Sequence, residues 1–302
     1  RLGLPVIIKA RSGGGGKGMR LVEDMDDLKR QFDSARKEAQ NAFGDSGVYI
    51  EKYIKSPRHI EVQLMADEHG NVIHLGARDC SLQMNHQKVI EEAPPEGVDQ
   101  ETLDGLYETS VRAAKSVSYT SVGTIEYLLD QDGSYYFMEM NTRIQVEHPI
   151  TEMVTGIDIV RDQVLIACGE RLAYKQEDIM IRGHAIECRI NAYDSDNNFL
   201  PSVGKIQALN MPGGYGVRVD SAIYQGYEVL PFYDSMLAKV ISYGRDRKEA
   251  IRIMNRALEE FVVEGVRTNI GFNLKIINDP VFIENKYDTS YLERSIDDTR
   301  PL

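Results

Sequence analysis

Apolar and β-branched residues run together from Pro5 to Ala10, and Met19-Arg20-Leu21-Val22 alternates, which predicts two short strands on either side of a polar, glycine-filled loop. From Glu23 to Ala42 the period becomes helical, with Leu28, Phe32 and Ala35 on one face. Strands are expected again over Val48–Ile54, His59–Leu64 and Val72–Leu75, the last two joined by a turn at Glu68-His69-Gly70-Asn71. A helix is expected over 101–118. An apolar strand, Thr124–Leu129, follows, broken only by Glu126, and Asp132-Gly133 is a hairpin signal leading into a return strand, Tyr135–Met140. Another helix is expected from about Ile157 to Cys168. After Lys175 the texture changes to strands separated by turns such as Met211-Pro212-Gly213-Gly214, then an amphipathic helix, Arg247–Phe261. That change places a boundary near residue 180, between a region 1–180 and a region 181–302.

Composition narrows the class. Of 302 residues, 42% are hydrophobic and 27% charged, which describes a globular chain rather than a disordered one. No apolar run approaches the roughly 20 residues of a membrane helix, so no membrane partner is expected. The formal charge of −12 argues against a nucleic-acid partner, and any phosphate must be held locally. Cys80, Cys168 and Cys188 are widely spaced and read as reduced thiols rather than a zinc site. With no charged-then-apolar leader, a cytoplasmic location is expected. The chain starts at Arg1 and reaches a buried-looking strand within a few residues, so it reads as a piece of a larger polypeptide.

Gly13-Gly14-Gly15-Gly16-Lys17-Gly18 is the first candidate for chemistry. A P-loop needs a Ser or Thr after its lysine, and Gly18 stands there. A dinucleotide fingerprint must open a helix, whereas a strand follows here. Strand, glycine loop, strand fits a flap whose backbone N–H groups meet phosphates, with Lys9 or Lys17 adding charge. A plain hairpin loop kept soluble by its lysines is the alternative. No H-R-D catalytic loop or D-F-G occurs, which argues against a protein kinase.

A hairpin centred on Asp132-Gly133 sets Glu126 opposite Glu139. Like charges about 5 Å apart repel, and a cation such as Mg²⁺ or Mn²⁺ between them relieves this. Solvated side chains on an outer face are the alternative. The return strand is read onward to Glu147, which lines Glu139, Asn141, Arg143, Gln145 and Glu147 along one face. Acid, base and amide together suit a small oxyanion beside a metal-held phosphate. His86 and Lys88 are expected to share a strand face. His59 and Arg189 are further candidates, each with a bland structural alternative.

These stretches together resemble the biotin carboxylase branch of the ATP-grasp enzymes. The resemblance is carried by Lys9 to Arg20, Glu51-Lys52-Tyr53, Pro57-Arg58-His59, Arg78-Asp79-Cys80-Ser81, His86-Gln87-Lys88, Glu139 to Pro149, Arg182-Gly183-His184-Ala185 and Cys188-Arg189-Ile190-Asn191-Ala192. The run Glu-Met-Asn-Thr-Arg-Ile-Gln-Val-Glu-His is its most specific part. His148-Pro149 and Glu187-Cys188-Arg189-Ile190-Asn191 resemble the bacterial acetyl-CoA carboxylase branch more than pyruvate carboxylase.

The resemblance implies an α+β ATP-grasp fold with a glycine-rich lid over about 1–53, a nucleotide- and metal-binding body, and a biotin carboxylase C-terminal subdomain. It implies ATP at Lys9, Gly14, Gly15, Gly16, Glu51, Lys52, Tyr53, His59, Gln83 and His86. Magnesium or manganese falls to Glu126, Glu139 and Asn141, and bicarbonate to Lys88, Arg143, Gln145 and the backbone of Val146. Glu147 is the implied base and Arg189 the stabiliser of a biotin enolate; Arg143 and Lys88 complete the implied catalytic set. Biotin on a biotin carboxyl carrier protein is the implied acceptor, carboxyltransferase subunits and a homodimer are implied partners, and an upstream α/β lobe is implied. Met84-Asn85 stands where the family commonly has two arginines, and Tyr193 where many relatives carry Glu. A different ATP-grasp carboxylate ligase and a non-catalytic nucleotide-binding fragment are the competing expectations.

Overall fold

The computed structural model describes residues 2–13, 18–195, 197 and 199–297. The chain divides into two compact units, one running through Pro57 with Met84–Gln87 added, the other comprising Arg58–Gln83 and the chain from Lys88 on.

In the first unit β1 (Val6–Ala10), β2 (Met19–Val22) and β3 (Val48–Lys52) form an antiparallel sheet in the order β2-β1-β3, and α1 (Met25–Phe43) joins β2 to β3. Alternation in β1 buries Val6 and Ile8, which pack with Val22 and Ala35 and against Leu28 and Phe32 of the expected helical face. Asp24 caps α1 by accepting from the Asp26 N–H, and Gly44 ends it with φ 70°. The glycine loop closes by Ala10 N–H donating to the Gly18 carbonyl at 3.0 Å. Gly18 has φ 75°, and a Cβ there would lie 2.8 Å from the Ala10 Cβ, so only glycine fits this closure. Gly14, Gly15, Gly16 and Lys17 lie outside the described residues.

The second unit is built on an eight-stranded sheet. Its elements are β4 (Arg58–Ala66), β5 (Val72–Met84), β6 (Gln87–Ala93), α2 (Gln100–Ser116), β7 (Ser121–Leu129), β8 (Tyr135–Asn141), α3 (His148–Thr155), α4 (Ile159–Ala167), β9 (His184–Asn191) and α5 (Arg247–Glu260). The strand order is Val217–Ser221, Met236–Gly244, β9, β6, β5, β4, β7, β8. Leu103, Leu106 and Ala114 of α2 pack on Ile60, Val62, Ile125 and Tyr127, while Ile150 and Val154 of α3 pack on Ala93, Ala185 and Ile241. Among the described residues no helix is long and apolar enough to cross a membrane.

Three expectations are corrected. The strand expected over Val72–Leu75 continues to Met84, because Gly76 (φ 85°) absorbs a register shift rather than ending the strand. The return strand expected to reach Glu147 ends at Asn141. Beyond it the chain turns, with His148 N–H to the Gln145 carbonyl and Ile150 N–H to the Glu147 carbonyl, because α3 begins at His148 with Pro149 in its first turn and Glu147 at the N-cap. Arg143, Gln145 and Glu147 therefore do not share a strand face with Glu139 and Asn141. His86 does not share a strand face with Lys88 either: Asn85 and His86 have φ 50° and 62°, a left-handed turn that breaks the two-residue period, and β6 begins at Gln87.

Candidate active site

In the first unit, Lys9 lies on β1 and Glu51 on β3, and their charged groups meet at 2.5 Å. Lys52 Nζ donates to the Leu4 carbonyl at 2.8 Å, and Tyr53 N–H to the Pro5 carbonyl at 3.1 Å.

In the second unit, antiparallel register aligns four charged side chains across four strands. Arg78 of β5 is opposite Glu61 of β4, Glu61 is opposite Glu126 of β7, and Glu126 is opposite Glu139 of β8. The expected facing of Glu126 and Glu139 is thus present. A bulge after Glu126 then pairs Tyr127 with Phe137, so the hairpin does not keep one register throughout. Three carboxylates in a row repel unless cations intervene. Lys88, on β6, supplies one: its Nζ lies 2.6 Å from Glu61 Oε2, 3.0 Å from Glu126 Oε1 and 2.5 Å from Glu147 Oε1.

Arg78 supplies the second cation. It is fully buried, with Nε donating to Glu61 Oε1 at 2.5 Å and the other nitrogens donating to Gln63, Thr151, Thr124 and Gln145. Gln145 returns its amide to Glu126 Oε1 at 2.6 Å, which ties the row to the turn before α3. Asn141 donates to Glu126 Oε1 at 3.1 Å and to Glu139 Oε1 at 3.0 Å, bridging the two carboxylates. His59 Nε2 lies 3.0 Å from Glu126 Oε2 without the alignment of a hydrogen bond, and Gln83 Nε2 lies 2.7 Å from His59 Nδ1.

Charge state follows from these neighbours. Burial opposes ionisation of Glu61, but Arg78 and Lys88 outweigh it and hold the carboxyl at about 2. Burial likewise opposes the Glu126 charge, and His59 and Lys88 hold that group below its ordinary range. Burial opposes the Lys88 charge as well, yet Glu61, Glu147 and Glu126 are among the neighbours that raise it well above normal.

Arg189, on β9, donates from Nε to Glu91 Oε1 at 2.6 Å and from a terminal nitrogen to Glu147 Oε2 at 3.0 Å. Lys239 Nζ donates to the Val146 carbonyl at 2.9 Å. Arg143 stays apart: its side chain is exposed and donates to the Ile144 carbonyl. The structure therefore gathers His59, Gln83, Lys88, Glu126, Glu139, Asn141, Gln145, Glu147 and Arg189, and adds Arg78, which the sequence offered only as part of a motif, together with Glu61, Glu91 and Lys239, which sequence reasoning did not single out. A signal for Glu61 was present, since His59, Glu61 and Gln63 are the polar positions of an alternating strand.

Comparison with known proteins bears on this arrangement. Residues 1–175 match the family model of the carbamoyl-phosphate synthase L chain ATP binding domain, and residues 187–294 match the biotin carboxylase C-terminal domain. Biotin carboxylase 1 of Bacillus subtilis is 53% identical over 97% of this chain and 65% of its own length. The crystal structure of a biotin carboxylase complex with β-γ-ATP from Campylobacter jejuni superposes with a TM-score of 0.93 at 50% identity, covering 97% of this chain and 65% of that one. The biotin carboxylase domain dimer of the Hydrogenobacter thermophilus 2-oxoglutarate carboxylase, in complex with MgADP, ADP and bicarbonate, gives 0.94 at 46% identity, covering all of this chain and 66% of that one. The chain thus spans about 65% of the length of the curated relatives it matches. With both family models in this order and an α+β ATP-grasp architecture to match, the chain belongs to the biotin carboxylase family of ATP-grasp proteins.

Proposed function

We propose that this chain carries out ATP- and bicarbonate-dependent carboxylation of biotin on a biotin carboxyl carrier protein, the first half-reaction of acetyl-CoA carboxylase. The observation that carries the reading is the in-register row Arg78, Glu61, Glu126 and Glu139, closed by Lys88 beside the Glu147–Arg189 pair.

The donor set fits a divalent cation. Glu126 and Glu139 face each other, and the Asn141 amide bridging them marks the point where a positive group relieves their repulsion. These are hard oxygen ligands, which suits Mg²⁺ or Mn²⁺, and such an ion supplies charge neutralisation to nucleotide phosphates. Lys88 and the Gln145 amide, with the Val146 backbone, hold bicarbonate in this reading, Lys88 exchanging a carboxylate partner for the anion. Arg143 is assigned to the same anion through reorientation of its exposed side chain. Glu147 takes the bicarbonate proton as the oxygen attacks the γ-phosphorus and the bond to ADP breaks, giving carboxyphosphate. Carboxyphosphate yields CO₂ and phosphate; phosphate takes the ureido proton of biotin, and the nitrogen attacks CO₂ while Arg189 stabilises the enolate oxygen. His59 and Gln83 in the second unit, and Lys9, Gly14, Gly15, Gly16, Glu51, Lys52, Tyr53 and His86 in the first, are assigned to the nucleotide.

Carboxyltransferase subunits, a second copy of the chain and a cytoplasmic setting complete this reading. Phosphate release from MgATP by the protein, with and without bicarbonate and biotin, tests it. Release that requires bicarbonate and rises with biotin is expected; turnover indifferent to bicarbonate points instead to another carboxylate ligase. Glu147→Ala is expected to leave MgATP binding nearly intact while abolishing bicarbonate-dependent turnover, and equal activity removes Glu147 from the mechanism.

A further inference from the structure

Behind Arg189 the ladder of β6 and β9 sets Glu91 directly opposite Glu187, and neither side chain exposes any surface. Glu91 Oε1 accepts from Arg189 Nε at 2.6 Å, whereas Glu91 Oε2 and both oxygens of Glu187 have no hydrogen-bond partner among the described residues. Two anions about 5 Å apart in the buried interior, where the one contacting guanidinium serves Glu91 and Glu147 but not Glu187, repel strongly. A proton on one of them removes most of that repulsion.

We propose that Glu91 is the positioning residue of Arg189, and that Glu187 is held beside it as the neutral acid, so that Glu91 is the member of the pair that ionises. Other titratable groups facing the pair are Lys88 on the same strand, Glu147 at the α3 N-cap, Lys239 from Met236–Gly244, and the thiols of Cys80 and Cys188. Burial, then repulsion by Glu91, pushes Glu187 well above its ordinary 4.5. Burial pushes Glu91 up to about 7, with Arg189 opposing and Glu147 adding to the rise. An ionised Glu91 grips Arg189 Nε and fixes the plane of its guanidinium; a protonated one grips it less.

Only the role of Arg189 rests on the carboxylase reading, and the tests separate the two. The first is thermal stability of the intact protein between pH 5 and 8. A raised carboxyl contributes stability below 4.5 that is lost as pH rises toward its folded value. Glu187→Gln, which mimics the neutral acid, is therefore expected to keep or raise Tm at pH 8 and to flatten the decline. A Tm that falls more at pH 8 than at pH 5 shows Glu187 to be an anion and overturns its assignment.

The second is the Arg189 Nε–H signal in ¹⁵N-arginine-labelled protein, identified by its loss in Arg189→Lys. It is expected to be protected from exchange in the wild type and in Glu91→Gln, and unprotected in Glu91→Ala; equal protection in Glu91→Ala overturns the positioning role. Where biotin-dependent turnover is present, Glu91→Ala is expected to lower its kcat at least about tenfold with KM for ATP unchanged. Glu91→Gln, which mimics the protonated acid, is expected to hold the rate near the wild type's acid-limb value, above that of Glu91→Ala, and to remove an inflection near pH 7; an unchanged pH profile overturns the titrating role.

Discussion

Two pairs of glutamates face each other across neighbouring strands of one sheet, and their surroundings push Glu126 of one pair and both members of the other in opposite directions. Glu126 and Glu139, on β7 and β8, lie where Lys88, His59 and two side-chain amides converge, and Glu126 is drawn below its ordinary range despite burial. Glu91 and Glu187, on β6 and β9, have a single guanidinium contact between them, and both are pushed up. Adjacent Glu92, on the other face of β6, follows the same pattern: although buried, it is held at about 2 by His184 and Arg247, and it also accepts from the Tyr287 hydroxyl. Cross-strand geometry makes the pair, but the count of opposing donors decides whether burial or the neighbouring charges set the direction in which its carboxyls shift.

The most direct way to break the contrast is Lys88→Met. It leaves Glu61, Glu126 and Glu147 buried without their shared cation, and a loss of about 3–5 kcal/mol in chemical denaturation is expected. A smaller effect is expected for Glu126→Gln on Mn²⁺ affinity, weakened by about tenfold or more in an electron paramagnetic resonance titration, the range that even residues outside the metal contact reach. The pH dependence of stability sharpens the comparison next. Glu61, folded near 2, contributes stability above 4.5 that is lost as pH falls toward 2, and Glu61→Gln is expected to reduce that acid limb. Glu91 acts with the opposite sign between 4.5 and about 7, so thermal melts from pH 3 to 8 are expected to show separable limbs. The smallest effect is expected for Glu139→Gln without divalent cation: this exposed side chain is worth within about 0.5 kcal/mol of stability.

The facing of Glu126 and Glu139 was legible because a hairpin pairs near neighbours, and its turn at Asp130–Ser134 is announced by Asp132-Gly133. The limits of β2 and most of α1, α2 and α5 followed from alternation or helical period for the same local reason. The extension of the polar face to Glu147 failed because alternation alone does not register that a helix begins at His148 with Pro149 in its first turn. Glu61 was visible as one of three alternating polar residues, but nothing local distinguishes a polar strand face turned to water from one turned to buried cations.

Sequence by itself determined many of the elements though not α3 or the reach of β5, the hairpin that faces two carboxylates, and the motif runs that carry the family resemblance, since all of these depend on residues close together in the chain. Only the tertiary structure decided which charges meet. Lys88 reaches partners 27, 38 and 59 residues away, and Arg189 reaches Glu91 across 98. Ionisation in a buried site is set by the sum of those distant neighbours, so a local pattern can place a glutamate on a strand without saying whether it holds a metal, a lysine or a proton.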